Sequence, residues 1–248
     1  QPAIFLISYS IFEVATKELN INLNRAKFFA GHSLGEYSAL SSAGYLNFSD
    51  TIKLLRVRGD AMQTAVPEGE GGMLAVLGST IEIIEKILLD NYDSFIVQIA
   101  NDNSEGQVVL SGKKDDLTKL IEIFKLNKIK CIKLPVSAPF HCKLMNKATI
   151  TMKQEIEKIE FKDSDIRLIS NVTAEEITNK SELKKLLIKQ IENRVRWRES
   201  ILNMINKGVD HFIEIGPGKV LSGLVKRINA NVKINTINSE SDINNLKI

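Results

Sequence analysis

The 248-residue chain lacks the sequence features that are typical of disulfide-rich, membrane-spanning and nucleic-acid-binding proteins. It has two cysteines, Cys131 and Cys142, and no metal-ligand spacing, so no disulfide framework is predicted and a reducing, cytoplasmic compartment is expected. It contains no run of 18 or more apolar residues and no signal-peptide pattern, so we expect no membrane partner. Its net charge is only +3 and no basic run is interleaved with aromatic residues, which argues against nucleic acid as a partner.

Composition and length indicate a globular protein with one large domain or with a main domain and a smaller one. Apolar residues make up 44% of the chain and charged residues 25%, which is typical of globular proteins. Residues 2–20 have the apolar spacing of a helix, and the chain begins at Gln1 rather than at methionine. We therefore expect that a segment preceding Gln1 is absent from this sequence.

The order of predicted elements changes between Pro67 and Pro135. Here the pattern predicts strand, helix, strand, strand, helix and strand, which is the ferredoxin-like order. The predicted segments are, in turn, 73–77, 80–90, 94–100, 107–110, 115–126 and 130–134. We interpret residues 67–135 as a small domain inserted into a large catalytic domain that is formed by residues 1–66 and 136–248.

The two flanking segments alternate strands with helices. Strands are predicted at 27–31, 166–170, 211–215 and 232–237. Such alternation is typical of a parallel sheet that is covered on both faces, so the predicted fold class is α/β. The tail after residue 238 is rich in Asn and Ser and is expected to be mobile.

One short stretch contains a candidate nucleophile. Ser33 lies between Gly31 and Gly35, after a predicted strand and before a predicted helix. This G-x-S-x-G pattern is typical of a nucleophile elbow, in which the serine is strained and neighbouring chain leaves no room for side chains at the flanking positions. The N–H of Leu34, at the start of the helix, would then donate to an oxyanion. A surface loop remains the alternative, because so short a pattern also arises by chance.

Three histidines are available as a base for this serine, which is a poor nucleophile without one. His32 is expected to point away from the serine and His211 begins an apolar strand, so we interpret both as structural. By elimination His141, in a loop between a strand and a helix, is the candidate general base. A buried, non-catalytic histidine is the alternative at that position.

No acid that would orient His141 stands out in the sequence. Glu214 has a suitable position at the end of a strand, but a structural role is equally open. A backbone carbonyl can also accept from an imidazole N–H. Cys142 lacks flanking glycines and is interpreted as an inert thiol.

Two arginines lie on a helix among apolar residues, and we expect at least one of them to point inward. These are Arg56 and Arg58, which are followed one turn later by Met62. A buried arginine requires a carboxylate or phosphate partner. That partner is either an internal acid or a substrate, and the sequence leaves both open.

Together these motifs resemble the malonyl-CoA:acyl carrier protein transacylase family. The matching stretches run in order along the chain: Gly31 to Tyr37, Arg58-Gly59 with Met62-Gln63, Ala138 to His141, and Glu214 to Gly218. The resemblance implies an α/β-hydrolase-like large domain with a parallel sheet and an inserted ferredoxin-like small domain. It also implies an S-malonyltransferase that loads acyl carrier protein for fatty acid synthesis.

The resemblance also implies catalytic roles for four residues. Ser33 would attack the malonyl thioester, and His141 would act first as base and then as acid. Leu34 would supply an oxyanion N–H. The backbone carbonyl of Gln190 would orient His141, which would account for the missing acid.

Four further residues would bind substrate, by the same resemblance. Arg58 would hold the free carboxylate of the malonyl group, and Met62 belongs to the same motif. Phe140 would fill the space that a methyl branch on the acyl group needs. Asn103 would face the substrate cleft from the inserted domain.

The implied partners are malonyl-CoA and acyl carrier protein, and the implied state is a monomer. No metal and no free cofactor is implied, because the coenzyme A thioester is itself a substrate. The sequence departs from the family at Glu105, where proline is more usual. It also contains no match to the family's N-terminal Gly-Gln-Gly-Ser-Gln loop, whose first glutamine supplies a second oxyanion N–H. A serine thioesterase or esterase, and a non-catalytic fragment that binds the carrier protein, remain alternatives.

Overall fold

The computed structural model describes residues 1–19, 21–91, 93 and 95–244 and shows a mixture of helices and strands. The helices are α1 (Pro2–Glu13), α2 (Leu34–Ser42), α3 (Phe48–Thr64), α4 (Ile81–Asp90), α5 (Lys114–Leu126), α6 (Asn146–Lys158), α7 (Lys180–Lys189), α8 (Trp197–Asn206), α9 (Val220–Ile228) and α10 (Glu240–Asn244). The strands are β1 (Gly71–Leu77), β2 (Val97–Ser104), β3 (Gln107–Lys113), β4 (Lys130–Lys133), β5 (Leu168–Ile169), β6 (Glu176–Ile177), β7 (His211–Ile215) and β8 (Lys233–Ile237). No helix of these described ranges is both long enough and apolar enough to cross a bilayer.

Strands β1 to β4 form one antiparallel sheet in the order β2-β3-β1-β4. Helix α4 follows β1 and helix α5 follows β3, so the predicted order of strands and helices is observed here. Ser94, where a strand was predicted to begin, lies outside the described residues. Strand β2 runs to Ser104, four residues beyond the predicted end.

The four-stranded sheet buries its own apolar cluster under α4 and α5. Alternate residues of a strand point to the same face, so β1 and β3 each contribute residues two apart to that face. The buried members are Leu74, Val76, Ile81, Ile84, Val108, Leu110, Leu117, Leu120 and Phe124. This part of the chain therefore has a core of its own.

Parallel pairing outside that sheet is shorter than the sequence pattern predicted. Strands β7 and β8 pair in parallel, whereas β5 and β6 form an antiparallel pair. The strand predicted at 27–31 is a single parallel bridge between Phe29 and Leu168. One rung forms because Phe29 donates to Arg167 O at 2.9 Å and accepts from Ile169 N–H at 3.0 Å, after which the chain turns at Gly31.

The C-terminal tail contains a short helix, α10. Asp242 accepts from the backbone N–H groups of Asn238 and Ser239, at 2.9 and 3.0 Å, and so caps α10. Ile243 is buried in an apolar cluster with Phe12 and Ile237. The structure therefore places residues 240–244 in a helix, and the mobility of the tail stays a prediction.

Helix α3 carries one arginine into the interior because that residue lies on its apolar face. Asn47 caps the helix by accepting the N–H of Asp50 at 2.8 Å. Leu54, Arg58 and Met62 are spaced four residues apart and are all buried. Arg58 therefore points into the core formed with α2, α6 and α7.

The four-stranded sheet is joined to the rest of the protein along β2. Asp102 N–H donates to Val195 O at 3.0 Å, and Val195 N–H donates to Ala100 O at 2.8 Å. The carboxylate of Asp102 is fully buried and accepts Arg198 Nε at 3.1 and 3.0 Å. These contacts hold β2 against the segment that precedes α8.

Candidate active site

Ser33 lies in a strained turn at the start of α2. Its φ is 53° and its ψ is −110°, so the surrounding contacts must hold it in place. Asn171, just beyond β5, donates through Nδ2 to Gly31 O at 2.7 Å and accepts Ser33 N–H at 2.7 Å. A Cβ on Gly31 would lie 2.0 Å from the carbonyl oxygen of Gly35, so only glycine fits at position 31.

Lack of room for a side chain does not explain the glycine at position 35. A Cβ on Gly35 would meet nothing within 4 Å, so the prediction that both flanking positions exclude side chains is wrong for Gly35. The close approach is between Gly31 and the backbone of Gly35, and one missing Cβ is enough to allow it.

The two glycines should therefore respond differently to alanine. We expect Gly31→Ala to lower the free energy of unfolding by about 1–3 kcal/mol, because the backbone must shift to admit the methyl group. Gly35→Ala should be neutral or raise it by up to about 1 kcal/mol, because alanine favours a helix. Urea unfolding followed by circular dichroism compares the two, and equal destabilisation would contradict this account of the turn.

Ser33 and His141 form a hydrogen-bonded pair. The serine Oγ lies 2.8 Å from His141 Nε2, and His141 Nδ1 lies 2.8 Å from the backbone oxygen of Gln190. Because a carbonyl only accepts, it fixes the proton on Nδ1 and leaves Nε2 to accept the serine proton. His141 has a φ of 61°, so the loop holds this residue, like Ser33, at a positive φ.

Burial keeps the His141 imidazole neutral. Desolvation, with a smaller contribution from the positive charge of Arg58, lowers the pKa of His141 to about 3. The side chain is only 4% exposed. At neutral pH the imidazole is therefore unprotonated at Nε2 and able to take a proton from Ser33.

The other candidates for the histidine and acid roles lie elsewhere. His32 Nε2 lies 2.8 Å from Asn103 Oδ1, and His211 Nε2 lies 2.8 Å from Asn235 Oδ1. Glu214 accepts the first N–H groups of α9, from Leu221 at 3.1 Å and Ser222 at 2.6 Å, so it is a helix cap. Within the described ranges no carboxylate hydrogen-bonds to His141.

Arg58 is buried beside the serine, and in the described part of the chain it has no carboxylate within ion-pair distance. Its Nη2 donates to Ser33 Oγ at 3.0 Å and to Gln190 Oε1 at 2.9 Å, and its Nη1 donates to Gln1 Oε1 at 2.6 Å. Its guanidinium lies 5.4 Å from the ring centroid of Tyr37. Arg56, by contrast, is exposed and pairs with Asp60.

The remaining predicted site residues lie around Ser33 and His141 and differ in how deeply they are buried. Among the described residues the N–H of Leu34 has no hydrogen-bond partner. Asn103 is buried on β2, and Phe140, half-buried, packs against the cluster of Met73, Ala100 and Val109. Met62 is buried in the helical core one turn beyond Arg58.

A cleft of about 370 Å³ leads to His141. One wall is apolar and belongs to α4, β2 and the loop between them, with Leu88, Leu89, Phe95, Val97 and Ile99. The other wall is polar and consists of Glu192, Asn193 and Arg194. An ion pair of 2.9 Å between Arg194 and Glu85 joins the two walls.

Sequence reasoning missed two residues and one side chain that hold this site. Asn171 supports the strained turn, and Glu36 accepts from Gln190 Nε2 at 2.6 Å and from Asn171 N–H at 3.3 Å. Gln190 was predicted only for its backbone carbonyl. An acid one turn after a serine elbow, and an Asn directly after a short strand, were the signals available.

Comparisons with known proteins show which family this chain belongs to. The family model described as the acyl transferase domain matches residues 1–240. The malonyl CoA-acyl carrier protein transacylase of Bacillus subtilis (strain 168) is 44% identical over 235 residues, which are 94% of this chain and 73% of that protein. The corresponding protein of Staphylococcus aureus (strain MRSA252) is 40% identical over 98% of this chain and 78% of its own length.

Solved structures show the same likeness. The crystal structure of malonyl CoA-acyl carrier protein transacylase from Clostridium perfringens superposes with a TM-score of 0.93 at 41% identity, over 99% of this chain and 76% of that one. A malonyl-transacylase, solved in complex with a type II PKS acyl-carrier protein, has a TM-score of 0.92 at 35% identity, over 98% of this chain and 78% of that one. By its sequence, its α/β fold and these likenesses, the chain belongs to the malonyl-CoA:acyl carrier protein transacylase family of acyl transferases.

Proposed function

We propose that this protein transfers the malonyl group from malonyl-CoA to the phosphopantetheine thiol of acyl carrier protein through a malonyl ester on Ser33. The observation that carries the proposal is the chain of contacts from Gln190 O through His141 to Ser33 Oγ, with the buried Arg58 3.0 Å from that oxygen. The named relatives are transacylases of this kind, and one relative is solved with a carrier protein. The pathway served is fatty acid synthesis.

The first half-reaction begins with proton transfer from Ser33 to His141 Nε2. The serine oxygen forms a bond to the thioester carbonyl carbon, and Leu34 N–H donates to the oxyanion that results. The carbon–sulfur bond then breaks, and the proton on Nε2 passes to the coenzyme A sulfur as the thiol leaves. Gln190 O accepts from the Nδ1–H throughout and stabilises the imidazolium.

The second half-reaction runs through the same groups in reverse. The carrier thiol gives its proton to His141 and attacks the malonyl ester, and the ester carbon–oxygen bond breaks. The proton returns from His141 to Ser33 Oγ, which restores the enzyme. Neither half-reaction as proposed uses a metal or free cofactor, because coenzyme A enters as part of the substrate.

Arg58 is proposed to bind the free carboxylate of the malonyl group. A buried guanidinium without a carboxylate partner favours an anionic ligand, and two parallel N–H groups match a carboxylate. Ser33 Oγ lies 3.0 Å from this guanidinium, so an acyl group on that oxygen starts within reach of it. Phe140, Asn103 and Met62 are proposed to line the same acyl site.

Replacing Arg58 should discriminate between two acyl donors. We expect Arg58→Ala to lower malonyl transfer by about 10-fold to 150-fold, because the lost charge-assisted hydrogen bonds contribute about 1.5–3 kcal/mol. Acetyl transfer, which involves no carboxylate, should fall less. The kcat/KM values for malonyl-CoA and acetyl-CoA measure this, with the exposed Arg56→Ala on the same helix as control, and equal losses for both donors would refute the role.

A serine thioesterase or esterase would use the same serine and histidine but would pass the acyl group to water. The buried Arg58, which has no evident use in that reaction, favours transfer. The test mixes the protein with malonyl-CoA, records its intact mass, and then adds holo-acyl carrier protein. A malonyl adduct on Ser33 that moves to the carrier supports transfer; release of free malonate supports the thioesterase; no adduct supports a non-catalytic fragment.

We also propose the domain division expected from the sequence. Residues 67–135 would be a ferredoxin-like insert, and 1–66 with 136–248 an α/β-hydrolase-like domain. The antiparallel sheet with its own core and the backbone bridge between Asn101 and Val195 support this division. We further propose a monomer acting in the cytoplasm, where the free Cys131 and Cys142 stay reduced.

A further inference from the structure

Glu36 is a buried carboxyl group that the reaction above does not use. It lies in the first turn of α2, three residues after the nucleophile, and is 4% exposed. Its Oε2 accepts Gln190 Nε2 at 2.6 Å, and its Oε1 accepts the backbone N–H of Asn171 at 3.3 Å. A buried acid is costly unless its oxygens are hydrogen-bonded, so these two contacts explain how it is held.

The two residues that Glu36 contacts hold all three reacting side chains. Asn171 holds the strained turn of Ser33 through its side chain. Gln190 orients His141 through its backbone oxygen and accepts Arg58 Nη2 through Oε1. Glu36 is therefore one step removed from the nucleophile, the base and the carboxylate-binding cation.

We propose that Glu36 is a positioning residue for acyl transfer: its ionised carboxylate accepts from Gln190 and Asn171 at once and thereby holds Ser33, His141 and Arg58 in one arrangement. The inference rests on the proposed function, because it assigns Glu36 to the same site. Glu36 touches neither substrate nor reacting atoms and acts only through its two partners.

The contacts require a carboxylate rather than any polar group. Both partners of Glu36 are donors, one at each of its oxygens. A carboxylate accepts at both oxygens, whereas a carboxamide or a protonated carboxyl accepts at one and presents a donor at the other. The carboxylate also sets the direction of the Gln190 amide, whose Nε2 faces Glu36 while its Oε1 faces Arg58.

The charge state of Glu36 adds a signature that can be measured. Burial raises the pKa of Glu36 to about 7, although the hydrogen bonds from Gln190 and Asn171 and the charge of Arg58 lower it. Arg58 on α3 is the charged group that faces it. Burial raises the pKa of Tyr37, on its own helix, to about 12, and the pKa of His141 beyond Gln190 is about 3, so both are neutral near pH 7.

Malonyl transfer should therefore rise with pH as Glu36 ionises near pH 7, well above the range in which His141 titrates. The experiment measures kcat for transfer to holo-acyl carrier protein from about pH 5.5 to about pH 9. The full chain is compared with Glu36→Gln, and with Glu214→Gln as a matched control. Glu214 also accepts two N–H donors, at the start of α9 and outside the site.

We expect Glu36→Gln to lower kcat on the order of 10-fold to 100-fold and to remove the rise near pH 7, because the reacting groups are displaced. Transfer from malonyl-CoA and from acetyl-CoA should fall to a similar extent, whereas Arg58→Ala should lower acetyl transfer less than malonyl transfer. Glu214→Gln should keep the wild-type profile. Circular dichroism and gel filtration establish that each variant is folded, and Glu36→Asp, which keeps both acceptors, should retain the rise if Glu36→Gln does not fold.

A folded Glu36→Gln variant with the wild-type profile would overturn the positioning role, as would a Glu36→Asp variant without the rise near pH 7. The proposed function has a separate test in the same samples. If the wild-type protein forms no malonyl adduct, the function itself is refuted. If the wild-type protein is active and Glu36→Gln matches it, only the role of Glu36 fails.

Discussion

Ser33→Ala is expected to leave the protein folded and to abolish formation of the malonyl-enzyme. Without the hydroxyl no ester can form, and the transfer rate should fall on the order of 10⁴-fold or more, as it does when other serine enzymes lose their nucleophile. The fold should tolerate the change, because alanine and serine are both non-glycine residues at the same positive φ. Intact mass after mixing with malonyl-CoA measures the adduct directly.

Ser41→Ala is the matched control for that prediction. Ser41 lies on the same helix, is buried, and has an Oγ without a hydrogen-bond partner in the described part of the chain. Its removal should leave the adduct and the transfer rate unchanged. A malonyl adduct on the Ser33→Ala protein would place the nucleophile elsewhere.

Replacing His141 should have the second largest effect. We expect His141→Asn to lower transfer by about 10²-fold to 10⁴-fold, because no other residue that the structure describes is placed to accept the proton of Ser33. Asparagine is the replacement of choice because it tolerates the positive φ of 61° at this position. Single-turnover acylation by malonyl-CoA measures the step, and His211→Asn, on β7 and outside the site, serves as control.

The same replacement should change how stability depends on pH. The pKa of His141 is about 3 in the folded protein, well below its ordinary value of 6.5. The unfolded chain therefore binds the proton first, so the stability that the neutral imidazole contributes is present above pH 6.5 and is lost as the pH falls towards 3. For His141→Asn the free energy of unfolding should fall less steeply as the pH is lowered from 6.5 towards 3. An unchanged dependence on pH would show that the histidine is not held neutral.

The stability that Glu36 contributes depends on pH in the opposite direction, and the same ionisation is proposed to affect activity. Its pKa is raised to about 7 from 4.5, so the stability it contributes is present below pH 4.5 and is lost as the pH rises through 7. The ionised form, which the proposed arrangement requires, is thus the less stable one. An active site held together at the expense of stability is a common compromise in enzymes.

Local sequence patterns predicted the elements that carry the site. The apolar spacing predicted that at least one of Arg56 and Arg58 points inward, and the structure shows that Arg58 does; the glycines around Ser33 predicted a tight turn into α2. The alternation between Pro67 and Pro135 predicted the order of strands and helices that is observed there. These features depend on residues a few positions apart, which a single sequence displays directly.

Short stretches of the sequence identify the residues that are capable of chemistry: a nucleophile turn, one usable histidine and an arginine on an apolar helix face. The contacts that hold these residues depend on the fold. In the sequence Glu36 is 135 residues from Asn171 and 154 residues from Gln190. Their contacts arise when α2, the end of β5 and the end of α7 pack together. The length of parallel strand pairing was overestimated for the same reason. Pairing depends on where two strands that are distant in the sequence come together, and the whole fold sets that position.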